Sequence, residues 1–103
     1  MAEPRCFFEH LGGCEGRLVR AHLIPKQRIK REVLSISYNR TREILWDPRC
    51  WRWMCGGLTG LGGHHGQFDN KQIRIRYDEL PAAVKEYAAQ YGLEWSLERD
   101  YAL

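Results

Sequence analysis

Three cysteines and a histidine terminate two glycine-bearing loops. Cys6-x7-Cys14 contains Gly12-Gly13, and Cys55-x8-His64 contains Gly56-Gly57, Gly60 and Gly62-Gly63. Thiolate and imidazole are zinc ligands, and glycine lets each loop double back so that both its ends face one tetrahedral ion. Between the loops lies Ala21-His22-Leu23-Ile24-Pro25, with a single histidine. Imidazole is the one side chain whose ordinary pKa falls near neutrality, so His22 is a candidate general base. A second pair, His64-His65, opens a stretch that runs to Phe68-Asp69. A zinc-stapled module with one histidine on the segment between its staples is the chemistry the rest of the chain must position.

Size and composition frame that chemistry. A chain of 103 residues, 44% apolar and 12% aromatic, reads as one domain, 1–103, with a modest core that gains from a metal. Two disulfides are the alternative use of four cysteines. No apolar run approaches the roughly 18 residues of a membrane span, and the opening Met1-Ala-Glu-Pro-Arg-Cys6 is not a signal peptide's apolar stretch. A cytoplasmic protein with no membrane partner and zinc-bound cysteines is therefore expected.

The net charge of +3 hides a gradient. Residues 17–42 hold eight basic side chains against Glu32 alone, whereas residues 77–103 hold six acids against Lys85 and Arg99. A basic front half beside a suspected metal site suits a polyanion, with double-stranded DNA the expected partner. Arg17, Arg20, Lys26, Arg28, Lys30 and Arg31 are the candidate phosphate contacts. A solvated basic face is the bland alternative.

The elements that must position these groups follow from periodicity. Gly16 to Ile24 alternates as a strand, with Leu18, Arg20 and His22 on one face. Pro25 stops it and starts a helix from Lys26 to about Ile36, with Ile29 and Val33 four apart. Ser37–Arg42 reads as a polar loop, and Trp46-Asp47-Pro48 turns the chain into a return strand over Cys50–Met54. His64 to about Lys71 should be a short helix, and Ile73–Tyr77 a short extended segment. Two helices then close the chain. The first, Asp78–Tyr91, is stopped by Gly92 and carries the apolar stripe Leu80, Val84, Tyr87, Ala88 and Tyr91. The second, Glu94–Tyr101, brings Trp95 and Leu97 to the core. Trp46, Trp51 and Trp53 read as packing rather than base-stacking groups.

A strand with one histidine, a return strand and a helix opening on His64-His65 sketch an α+β fold. It is a small zinc-stapled ββα finger (6–70) followed by a C-terminal helical extension (71–103). On Cys6-x7-Cys14, Ala21-His22-Leu23-Ile24-Pro25, Asp47-Pro48-Arg49-x5-Cys55 and His64-His65-Gly66-Gln67-Phe68-Asp69, the chain resembles the HNH endonuclease family, particularly its phage-type members. The resemblance implies a DNA endonuclease in which His22 activates a water, a helix residue holds Mg²⁺ or Mn²⁺, and a separate zinc is structural. Two positions depart from it. Ala21 stands where many members have a metal-binding Asp or His, and Cys50 stands where the family's base-orienting asparagine falls.

Helix geometry sorts the two histidines. Adjacent helical side chains point about 100° apart, so His64 and His65 do not serve one ion. His64 shares a face with Phe68, a core residue, and is expected to complete the zinc site with Cys6, Cys14 and Cys55. His65 shares the other face with Asp69, and this pair is assigned to the catalytic ion. The reverse assignment stays open. Cys50 as a zinc ligand ranks lower, because positions five apart in a strand face opposite ways. His10, inside the first loop, is expected to be exposed.

Overall fold

The computed structural model describes residues 4–102. Two strands, β1 (Leu18–His22) and β2 (Trp51–Cys55), pair as a two-stranded sheet. Gly56 N–H donates to the Arg17 carbonyl and Leu23 N–H to the Cys50 carbonyl, an antiparallel pattern. Five α-helices accompany the sheet among the described residues: α1 (Lys26–Leu34), α2 (Thr41–Leu45), α3 (Gly63–Asp69), α4 (Ala82–Tyr91) and α5 (Glu94–Tyr101). None is long and apolar enough to cross a membrane.

The chain divides into two compact units. One ends its first segment at Ala21 and resumes over Arg52–Arg74; the other comprises His22–Trp51 and the chain from Ile75 onward. In the first unit, Phe7 N–H donates to the Trp53 carbonyl, laying the N-terminal segment along β2. Phe8, 4% exposed, meets His64 edge-on and packs against Phe68, with ring centroids 6.0 and 6.1 Å away. So few apolar side chains give this unit a thin core, the case in which a metal contributes most.

The second unit is helical and holds most of the buried apolar residues. Ile29 and Val33 of α1 are fully buried, four residues apart as the pattern requires. Val84, Tyr87, Ala88 and Tyr91 of α4 form a buried stripe, and Gly92 at φ 69° ends that helix in the left-handed conformation glycine tolerates. Tyr87 and Tyr101 are satisfied in the core, donating to the carbonyls of Ile44 (2.7 Å) and Leu23 (2.5 Å) respectively.

Four elements differ from the sequence expectation. Ser37–Arg42 is not a plain loop: a 3₁₀ turn at Tyr38–Arg40 leads into α2, which buries Ile44 and Leu45. The helix expected from Asp78 starts only at Ala82, because Pro81 disfavours a helical Leu80, whose ψ is 138°. Asp78 and Glu79 instead lie in a separate 3₁₀ turn, where they receive Arg76. Ile73–Tyr77 keeps its alternation, with Ile75 buried, but forms no strand. Trp95 is 39% exposed and lies beside the Arg28 guanidinium rather than in the core, which α5 reaches through Ser96, Leu97 and Tyr101.

Candidate functional site

Four ligands converge in the first unit. The Nδ1 atom of His64 lies 3.3 Å from the Cys55 sulfur, 3.4 Å from that of Cys6 and 3.6 Å from that of Cys14. All four ligand atoms lie within 4.8 Å of one another. One imidazole nitrogen offers a single proton or a single lone pair, so it cannot be hydrogen-bonded to three sulfurs. A tetrahedral zinc with bonds of about 2.3 Å to sulfur and 2.0 Å to nitrogen would separate those atoms by about 3.5 Å. The cluster therefore fits one zinc ion bound by Cys6, Cys14, Cys55 and His64. Cys6, Cys55 and His64 are buried, and Cys14 closes the site from the exposed side.

Local backbone builds the cluster. Gly63, at φ 57°, opens α3, and a Cβ there would stand 2.6 Å from the Cys55 carbonyl oxygen. Two backbone donors point at the sulfurs: His64 N–H to Cys55 (3.2 Å) and Cys55 N–H to Cys6 (3.3 Å). Desolvation would raise the Cys55 thiol, but backbone donors, His64 N–H first, hold it below its ordinary value. Desolvation of the sulfur and the neighbouring Cys6 and Cys55 push Cys14 up to about 12. Three thiolates this close need a cation.

His65 turns the other way. Its Nδ1 lies 2.8 Å from the Gly60 carbonyl, which can only accept, so Nδ1 carries the proton. Its Nε2 then faces Asp69 Oδ2 at 3.3 Å. A neutral ring would aim a lone pair at a carboxylate there, so the contact calls for an imidazolium or a shared cation. Adjacent ligands on an octahedral ion with bonds of about 2.1 Å stand about 3.0 Å apart, close to the observed spacing. Asp69 is more than half exposed, leaving room for water or a phosphate.

His22 belongs to the second unit. Its Nε2–H donates to the Leu45 carbonyl at 2.6 Å, its ring meets Trp46 edge-on at 4.7 Å, and its Nδ1 is buried. The Cys50 thiol, fully buried, donates to the Asp47 carbonyl (3.1 Å) and reaches the same Leu45 carbonyl (3.4 Å). Burial pushes Cys50 up to about 11, consistent with a thiol that donates to these carbonyls, and it is not among the four clustered ligands. At the position where the resemblance expects asparagine, the thiol thus touches the carbonyl that holds His22. Ala21 is buried and offers no ligand atom.

The basic residues divide. Arg17, Arg20, Lys30 and Arg31 are exposed. Lys26 is exposed too, with its ammonium 5.0 Å from the centre of the Trp46 ring. Arg28 is committed within the protein, donating to Asp100 (2.7 Å) and Ser96 (2.8 Å). His10 is exposed, and Trp46, Trp51 and Trp53 are half-buried. The carbonyls of Leu45 and Gly60, which fix the proton positions of His22 and His65, carry no sequence signal because every residue has one. Compared with known proteins, the chain matches no family model, no curated protein and no solved structure.

Proposed function

We propose that the chain is a metal-dependent DNA endonuclease of the HNH type. In this reading His22 is the general base, His65 and Asp69 hold Mg²⁺ or Mn²⁺, and the zinc centre braces the hairpin against α3. The observation that carries the proposal is the division of labour on α3. His64 points to the sulfurs, while His65 turns the other way and stands 3.3 Å from Asp69. When bound, such an ion would neutralise charge on the scissile phosphate and the leaving oxygen. His65, with its proton fixed on Nδ1 by Gly60, offers Nε2 as a ligand.

The same donor logic makes Nδ1 the proton-accepting nitrogen of His22, since Nε2–H is given to Leu45. Nδ1 is buried, so water must gain access to it before the ring takes a proton. With Ala21 contributing no ligand, turnover is expected to be low. The packing of His22 also favours a second reading, a zinc module that binds DNA without cutting it.

Supercoiled-plasmid nicking with Mg²⁺, Mn²⁺ or EDTA, run beside a DNA-binding titration, separates the two. Under the enzyme reading EDTA stops nicking, and His65→Ala raises the ion concentration needed for half-maximal rate. Binding with no nicking under any ion hands the assignment to the binding module.

A further inference from the structure

Leu58 is 98% exposed and Leu61 73% exposed, on a loop that the rest of its unit holds firmly. We infer that these two leucines form an apolar wedge that enters the minor groove of DNA and opens a base step. The inference rests on the proposed DNA-binding reading and says how that contact is made.

The loop is built to hold its tip out. Gly62 N–H donates to the Gly56 carbonyl at 2.9 Å and closes the neck, and Leu61 N–H is received by the Thr59 hydroxyl at 3.2 Å. Gly56 and Gly60 pack backbone to backbone: a Cβ on Gly56 would stand 2.8 Å from Gly60. Cys55 on one side and His64 on the other belong to the metal cluster, which anchors both ends of the loop. The ordering cost of presenting the leucines is thus met before any partner arrives.

Charge and area choose the partner. Residues 56–63 carry no charged side chain. The Arg17 guanidinium lies alongside, 3.7 Å from where a Gly60 Cβ would be. Two leucines offer on the order of 200 Å² of apolar surface, far short of the roughly 800 Å² each partner gives a stable protein interface. A narrow glycine-flanked tip with the Arg17 cation beside it matches a minor groove about 6 Å wide instead. Apolar side chains there partly unstack a step and kink the duplex.

The test uses the zinc-loaded full chain without Mg²⁺ or Mn²⁺, and short A·T-rich duplexes carrying 2-aminopurine at successive positions. Saturating wild type should raise 2-aminopurine fluorescence at least about twofold. Leu58→Ala/Leu61→Ala should abolish the rise and weaken binding by about tenfold, with zinc content and the salt dependence of affinity unchanged, because phosphate contacts remain. Arg17→Ala should keep the fluorescence rise while lowering the salt slope by about one. Wild-type binding without a fluorescence rise overturns the wedge and leaves the DNA-binding reading standing. Failure to bind duplex DNA at all removes both. Equal fluorescence from the double variant, or a wild-type dimer in sedimentation that the double variant converts to monomer, also overturns it, the dimer by assigning the leucines to a protein interface.

Discussion

Replacing Gly63 with alanine should cripple the metal centre without touching a ligand. Gly63 sits at φ 57°, and the left-handed conformation costs a non-glycine residue about 1–2 kcal/mol. The added Cβ would stand 2.6 Å from the Cys55 carbonyl oxygen and 3.1 Å from its sulfur. Ordinary contact begins near 3.4 Å, so backbone must retreat by about 0.8 Å, beyond the roughly 0.2 Å tolerance of metal–ligand bonds. Both adjoining ligands, Cys55 and His64, are carried along. Zinc affinity should fall at least 10- to 100-fold, the loss typical of disturbed outer-shell support. Together with the backbone strain, this amounts to about 3 kcal/mol and a melting temperature lowered by at least about 10 °C. Chelator competition and thermal melting read both quantities. Gly12→Ala is the control, because φ is also positive there but no atom lies within 4 Å of the new Cβ. It should pay the backbone strain and keep its zinc affinity. A Gly63→Ala protein with zinc affinity within threefold of wild type and an unchanged melting temperature would refute the reasoning.

Four further outcomes follow from the same geometry. Duplex-DNA affinity should fall steeply between about 50 and 200 mM salt, and alanine at Arg17, Arg20, Lys30 or Arg31 should each flatten that slope. Arg28→Ala should lower thermal stability and leave DNA affinity nearly intact, since its charge is given to Asp100; titrations at several salt concentrations check this. Cys50 should resist alkylation at pH 8 in the folded protein and react on unfolding, because burial pushes its thiol up to about 11; mass spectrometry counts the adducts. Partial burial disfavours the Asp47 charge, but hydrogen bonds and the charge of Arg49 outweigh it and hold the carboxyl below its ordinary value. Its stabilising contribution is therefore complete above the unfolded pKa of about 3.9 and is lost as pH falls through the lower folded value. The difference in stability between wild type and Asp47→Ala should accordingly hold from pH 7 to about 5 and close toward pH 2–3 in denaturant titrations.

The ligand set was legible because thiols, imidazole and glycine are rare enough to leave a spacing pattern, and because helical phase separates His64 from His65. The apolar stripe of α4 and the buried pair of α1 followed from periodicity alone. What escaped was set by backbone atoms or by competition between local signals. Nothing in the sequence marks the Leu45 carbonyl as the acceptor for His22. Pro81 and the acids before it gave opposed cues about where α4 begins, and the proline's effect on Leu80 prevailed. Trp95 looked like core by type, yet Ser96 and Leu97 hold the inward positions of α5. The exposure of Leu58 and Leu61 was equally hidden, since a leucine in a glycine loop reads the same pointing in or out.

The central claim, that His22 acts as the base of a metal-dependent phosphodiesterase, is tested most directly by one comparison. Wild type and His22→Ala, at equal zinc content and with saturating Mn²⁺ or Mg²⁺, are followed through single-turnover cleavage of a supercoiled plasmid. The account predicts a slow wild-type rate and a loss of about 10²- to 10⁴-fold on substitution, with DNA affinity nearly unchanged. Equal rates for the two proteins, or no cleavage by wild type under conditions where it binds the plasmid, would contradict it.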